Sequence, residues 1–244
     1  TAVIGEVDRY FTALQTPGGT VDLEDKPWLG SLDPALLPGP CGAVPELGDR
    51  LNLEAVRAAV RRIPRRRTPG PDGVLGETVK CAPPAAHALL HSLFRRFWAE
   101  AYLPSCFRAS RTVLLYKKGD PTLPGNYRPI ALANTLAKTY TMAVTSLLSE
   151  AAEEHAMLSA GQEGFRPLRH TTRPIRKVTS ALEDAQLARR DVCVTYVDFS
   201  SAFNTVPHEG LLSVMGDMGF PADAVRAVGA IYDGAVTRFV TPHG

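Results

Sequence analysis

The 244-residue chain is 45% hydrophobic and 21% charged, with 20 Gly and 20 Pro, a composition that excludes a low-complexity or disordered chain and a length that fits one large domain or two small ones. No run approaches the ~18–20 apolar residues of a membrane span. The formal net charge of +2 hides an asymmetry, because residues 51–131 carry 14 basic and 5 acidic side chains, against 3 and 8 in residues 1–50 and 2 and 6 in residues 191–244. A basic middle between acidic ends implies a localised anion-facing surface, with RNA or DNA as the partner of residues 51–131. A solvated Arg-rich helix end is the plainer alternative.

In chain order, Ile4, Val7, Tyr10, Phe11 and Leu14 have helical spacing over residues 4–15. Residues 16–48 are rich in Gly, Pro and Asp around Trp28 and read as an extended arm rather than a core segment. Asn52 is placed to cap a helix running to Ile63, with Leu53, Val56, Ala59, Val60 and Ile63 on one face and Pro64 as its stop. A short helix is predicted over 74–81. Pro83 and Pro84 open another over 84–102, striped by Leu89, Leu90, Leu93, Phe94, Phe97 and Trp98. The period then changes to two at Arg111–Tyr116, a strand, followed by a polar turn over 117–125.

A long amphipathic helix is predicted over 135–154. It ends on Glu150, Glu153 and Glu154, the wrong sign for a helix C-terminus, so packing must hold that end or it frays. Another helix fits 172–190. Asp191–Phe199 (D-V-C-V-T-Y-V-D-F) carries the clearest strand signal in the chain, being rich in β-branched residues. Helices over 207–218 and 221–233 and a short strand over 236–240 complete an α+β order. The cysteines at 41, 81, 106 and 193 are scattered, without a CxxC pair. This argues against a zinc site or disulfide framework and for a reducing, intracellular compartment.

Four groups of residues could carry chemistry. Asp198 closes the predicted strand 191–199, where open sheets place ligands, and suits Mg²⁺ as a hard oxygen ligand. Capping the next turn is the plain reading of such a residue. The arginines Arg57, Arg61, Arg62, Arg65, Arg66 and Arg67 lead into Pro69-Gly70-Pro71-Asp72-Gly73. Guanidinium forks bind phosphate bidentately, and a solvated helix end explains them equally well. Lys117 and Lys118, with Arg128 pinned by Pro129, could clamp a triphosphate, or decorate a hairpin tip. Gln162-Glu163-Gly164-Phe165-Arg166 is a turn presenting an aromatic and a basic side chain. Walker A, HExxH, GxSxG and GxGxxG patterns are absent, so P-loop, metalloprotease, hydrolase and dinucleotide readings have no anchor.

Taken together and in order, these segments resemble the reverse transcriptase domain of non-LTR (LINE-type) retrotransposons. The likeness begins near Tyr10-Phe11. It is specific at 53–80, at Val113–Ile130 (V-L-L-Y-K-K-G-D … N-Y-R-P-I) and at Gln162–Thr172, and it peaks at Tyr196–Leu211 (Y-V-D-F-S-S-A-F-N-T-V-P-H-E-G-L). The resemblance implies a right hand of fingers, palm and thumb, helix-rich with a small antiparallel sheet. Residues 1–50 would be an N-terminal helix and arm, 51–190 fingers with supporting helices, and 191–244 a partial palm holding motif A, cut before motif C and the thumb. It implies that Asp198 is the first metal-binding catalytic aspartate, with the Phe199 backbone carbonyl beside it. Phe203 becomes the aromatic gate at the sugar of the incoming nucleotide. Lys117, Lys118 and Arg128 become triphosphate contacts, and Arg166 falls in a segment near the template. Arg61, Arg62, Arg65, Arg66 and Arg67 form the expected nucleic-acid surface.

The implied activity is RNA-directed DNA polymerisation, a nucleotidyl transfer to a primer 3′-hydroxyl. Mg²⁺ is expected only if further palm carboxylates are supplied, since two-metal chemistry needs more than one. The chain stops at Thr241-Pro242-His243-Gly244 after a single such motif, so residues 1–244 alone are expected to be inactive. Ser201 and Asn204 stand where the family usually has Lys and Asp, and Leu168 where it usually has Gly. These departures favour an alternative, a domesticated remnant acting as a structural or RNA-binding subunit of a larger assembly. In either case the strand containing Asp198 would form an open sheet edge, to be covered by a protein partner or by the missing C-terminal half.

Overall fold

The computed structural model describes residues 2–15, 43–199 and 201–240. Trp28 and most of the predicted arm, Ser200 and the ending 241–244 lie outside the described residues.

Local sequence explains the helices. Helix α1 spans Ala2–Gln15 and buries Val7 and Phe11. Helix α2 spans Leu53–Arg62, and the Asn52 side chain accepts from the Ala55 N–H at 2.9 Å, satisfying one of the four orphan donors of the first turn. Helix α3 is Gly76–Lys80. Helix α4, Pro84–Glu100, has proline in its first turn and ends at Ala101 in the left-handed region. Its buried face is Phe94, Phe97 and Trp98. Leu89, read as part of that stripe, is exposed because it lies at the edge of the arc formed by 90, 93, 94, 97 and 98. A single turn, α5 (Ser105–Arg108), leads into the sheet. Helix α6 is Thr135–Glu154, the predicted range. Helices α7 (Thr172–Leu187), α8 (His208–Asp217) and α9 (Ala222–Tyr232) follow.

One core joins α2, α4, α6, α8 and α9. Tyr140 sits at its centre, with ring centroids 5.2 Å from Phe94 and 5.8 Å from Phe97. Leu47 and Leu51 are fully buried in it. The arm reading therefore fails at the end of its range: Leu47 belongs to the core, because the 3₁₀ turn at Gly48–Arg50 packs against α4. Asp223 fastens that junction. Its Oδ2 accepts from the Gly48 N–H at 2.8 Å and from Trp98 Nε1 at 2.9 Å.

Strands β1 (Ala109–Tyr116), β2 (Tyr127–Ala133) and β3 (Val236–Val240) form one sheet in the order β2-β1-β3. The β1–β2 pair is antiparallel and the β1–β3 pair parallel. The expected antiparallel sheet is thus a small mixed one, because β3 reaches β1 through a long helical crossover rather than a hairpin. Pro129 and the short spacing conceal β2 in the sequence. A proline removes a ladder donor, and β2 accommodates it by lying on the sheet edge.

The clearest predicted strand is not formed. Residues 191–199 have no regular secondary structure and are exposed throughout. Val, Tyr and Phe favour strands only where a neighbouring strand completes the ladder and buries one face, and no described segment pairs with 191–199. Helix α7 is similarly bare: Ala185 is its one buried residue, and Ile175 and Leu182 are exposed.

Candidate nucleotide and nucleic-acid site

The hairpin between β1 and β2 presents the first group of cations. The Lys117 N–H donates to the Asn126 carbonyl at 2.8 Å, extending the ladder by one pair beyond Tyr116–Tyr127. Leu115 pairs with Arg128, so alternation puts Leu115, Lys117 and Arg128 on one face. Tyr116 and Tyr127 project from the other, their ring centroids 5.6 Å apart. The tip is rigid. Gly119 has φ +97°, and a Cβ there would lie 2.8 Å from Asn126 Nδ2. The Tyr116 hydroxyl donates to the Gly119 carbonyl at 2.6 Å. Asp120 accepts from the Thr122 hydroxyl at 2.7 Å and the Thr122 N–H at 2.8 Å, and these bonds hold its carboxyl below the usual range. Lys117, Lys118 and Arg128 are exposed and form no ion pair with a described residue.

The arginine segment divides in two. Arg61 pairs with Glu54 at 2.6 Å, which lowers the Glu54 pKa, and Arg62 donates to the Ser146 hydroxyl at 2.5 Å. Arg65, Arg66 and Arg67 extend into solvent. Arg66 adopts φ +54° while its N–H donates to Glu77 at 2.6 Å, a bond that lowers the Glu77 pKa. The Pro69–Gly73 turn behind them is docked on the start of α6. Asn134 accepts from the Asp72 N–H at 3.1 Å and donates to the Cys106 carbonyl at 2.6 Å, and the Thr135 hydroxyl donates to the Val74 carbonyl at 2.5 Å. Gly70 is buried, and a Cβ there would fall 2.5 Å from the Asn134 backbone nitrogen. Sequence reading missed Asn134, whose partners are 28 and 62 residues away.

The Arg166 side chain is turned inward. Its guanidinium grips Glu153 through two bonds, at 2.7 and 2.8 Å, and donates to the Ser159 carbonyl at 2.8 Å. The side chain is only 8% exposed. This bidentate pair holds the Glu153 carboxyl below its usual range, and Arg50 reaches Glu154 at 2.6 Å. The acidic end of α6 is therefore held by two arginines as well as by burial of Ala151, Ala152 and Met157. Nearby, the Glu163 side chain is 8% exposed and faces Arg169, Arg173 and Lys177 at 3.5, 3.6 and 4.0 Å. One carboxylate among three cations leaves the start of α7 positive. The spacing 169, 173, 177 is the sequence signal for this face.

Asp198, Phe199 and Phe203 lie in the exposed stretch after α7. Phe203 meets Phe165 edge to face with centroids 6.1 Å apart. The fold thus joins the glutamine-led turn at 162–166 to the segment containing Asp198. Among the described residues no group of three His, Cys, Asp or Glu side chains is placed to hold a metal ion. Asp198 alone does not fit a two-metal centre. Cys81, Cys106 and Cys193 are free and exposed. No helix among the described residues is long and apolar enough to cross a membrane.

Residues 115–242 match the family model for reverse transcriptase (RNA-dependent DNA polymerase), a span running from the hairpin cations through Asp198 to β3. The chain is 26% identical over 173 residues to the probable RNA-directed DNA polymerase from transposon BS of Drosophila melanogaster, covering 70% of this chain and 19% of that protein. It is 31% identical over 182 residues to a putative 115 kDa protein in the type-1 retrotransposable element R1DM of the same species, covering 74% and 17%. It is 23% identical over 193 residues to the Pol polyprotein from type-1 retrotransposable element R2 of Bradysia coprophila, covering 79% and 21%. The chain spans about a fifth of the length of these relatives.

Proposed function

The chain belongs to the reverse transcriptase (RNA-dependent DNA polymerase) family, and from that premise we propose that it contributes the fingers and the first part of the palm to an RNA-directed DNA polymerase of a non-LTR retrotransposon. Residues 51–190 serve as fingers and 191–244 as the start of the palm. Lys117, Lys118 and Arg128 neutralise the triphosphate of an incoming nucleotide. Phe203, braced by Phe165, gates its sugar. Arg65, Arg66 and Arg67, with Arg61 and Arg62 behind them, face the nucleic-acid backbone. Asp198, with the Phe199 carbonyl, supplies one metal-ligating position, and carboxylates from outside 1–244 supply the rest.

The observation that carries this reading is the hairpin. Three exposed cations, none with a carboxylate partner among the described residues, stand at a rigid hairpin inside the span matched to the family. The test is primer extension on an RNA template. The whole polypeptide carrying this segment should incorporate deoxynucleotides, and Asp198→Asn should abolish incorporation. Residues 1–244 alone should not incorporate. Incorporation by 1–244 that depends on Asp198 would refute the incomplete-site reading, and activity surviving Asp198→Asn in the whole polypeptide would refute the assignment of Asp198.

A second reading, a domesticated structural or RNA-binding subunit, is favoured by Ser201, Asn204 and Leu168. It keeps the nucleic-acid surface and predicts no polymerisation by the whole polypeptide.

A further inference from the structure

We infer that Arg111 and Arg238 form a second phosphate site, one that holds the backbone of a single-stranded polynucleotide on the open face of the sheet. The inference rests on the nucleic-acid reading above and extends it to residues that reading does not use. Arg111 of β1 and Arg238 of β3 are matched in the parallel register, so their side chains leave the same face. Like charges at adjacent positions repel, and neither arginine has an ion pair with a described residue. Arg111 Nε is buried without an acceptor, and among the described residues Nη2 reaches only the Pro69 carbonyl, at 3.4 Å. A donor left in this state carries a desolvation cost that an arriving anion removes. A phosphate bridging two guanidinium forks supplies both the missing acceptor and the missing negative charge.

The opposite face of the sheet is occupied. Thr112 and Thr237 join hydroxyls at 2.7 Å, and Phe239 stacks on Phe11 of α1 at 5.2 Å. The arginine face is open: Leu115, Arg128, Arg238 and Val240 are exposed. A cavity of about 770 Å³ opens at the sheet beside the pair, lined by Arg111, Val236, Arg238 and Val240 from the arginine face and by Ser110, Thr237 and Phe239 from the other.

The length of the cationic row identifies the ligand. Arg111 is four residues from Leu115, the partner of Arg128, which is roughly 13 Å along a strand. One triphosphate held at the hairpin tip does not also reach Arg111. Beyond Arg111, the Pro69 carbonyl it touches opens the Pro69–Gly73 turn, two residues after Arg67 in the chain. A line of cations along a groove tracks successive phosphates of one strand.

The test measures binding of a fluorescein-labelled single-stranded oligoribonucleotide to the chain by anisotropy between about 50 and 200 mM salt. Arg238→Gln should weaken binding and lower the slope of log affinity against log salt by about 0.7, the value of one contact on a single strand. Arg111→Gln should do the same, and Arg238→Lys should keep the slope. Because Arg238 is exposed, its variants fold, and an unchanged thermal melt checks this. Wild-type affinity and slope in Arg238→Gln, with binding lost in a variant neutralising Arg65, Arg66 and Arg67, would overturn the site and leave the nucleic-acid reading standing. Salt-independent binding, or none, by the wild-type chain would overturn both. A nucleoside triphosphate that loses affinity for Arg238→Gln while the oligonucleotide does not would overturn the polynucleotide assignment.

Discussion

Asp223→Ala tests whether a single buried carboxylate joins the N-terminal 3₁₀ turn, helix α4 and helix α9. Asp223 is 5% exposed, and its Oδ2 is the shared acceptor of the Gly48 N–H and the Trp98 indole N–H. Truncation leaves both donors unpaired, and a buried unpaired donor costs ~1–3 kcal/mol. It also removes an acid from the first turn of α9, where a negative charge favours the helix by ~0.3–1 kcal/mol. Against these losses, Asp223 Oδ1 is buried without a partner, and removing it recovers part of its desolvation cost. The net expectation is a loss of about 3 kcal/mol, a large share of the ~5–15 kcal/mol of an ordinary domain. Asp223→Asn keeps one oxygen able to accept from both donors, as a neutral and weaker acceptor, and should lose about 1 kcal/mol. Urea unfolding followed by tryptophan fluorescence reads the effect, with a lower midpoint at unchanged slope. A midpoint for Asp223→Ala within about 0.5 kcal/mol of wild type, or no difference between the two substitutions, would refute the claim that this carboxylate organises the junction.

Gly70→Ala should destabilise the chain by more than ~1 kcal/mol and weaken oligonucleotide binding together, since its Cβ would collide with the Asn134 backbone; a neutral effect on both in a melt and a binding titration argues against the docked turn. Tyr140→Phe should leave stability unchanged or raise it by about 1 kcal/mol, because the Tyr140 hydroxyl is buried without a partner and burial pushes its pKa up; a clear loss in urea unfolding would reveal a bond to that hydroxyl. Arg166 lowers the Glu153 pKa below its usual 4.5, so the clamp's contribution is complete above that value and is lost as pH falls through the lowered one. Amide protection factors across 158–168, which remove the intrinsic pH dependence of exchange, should therefore fall at acid pH in wild type and be low at all pH values in Glu153→Gln; identical profiles would remove the clamp. Asp198→Asn should not change the melting temperature, because Asp198 is exposed, and a shift of several degrees would show that it has a structural role.

The helices and the family were legible in the sequence because both depend on order and spacing along the chain. The 3.6-residue period and the Asn52 cap produce α2, and the stripe around Tyr140 and Val144 produces α6 over the predicted range. The series from the hairpin lysines to Asp198 lies within the span matched to the family. What depends on distant partners was decided by the tertiary structure. Residues 191–199 have strand composition but no neighbouring strand to complete a ladder, whereas β2 forms despite Pro129 because β1 lies beside it. Arg166 looks free in the sequence and is gripped by Glu153. Arg111 and Arg238 carry no motif and stand 127 positions apart, yet the parallel register sets them side by side. Helix formation is local in its hydrogen bonds, so sequence reports it. Strand pairing and charge pairing are not local, and only the folded chain determines which residues meet.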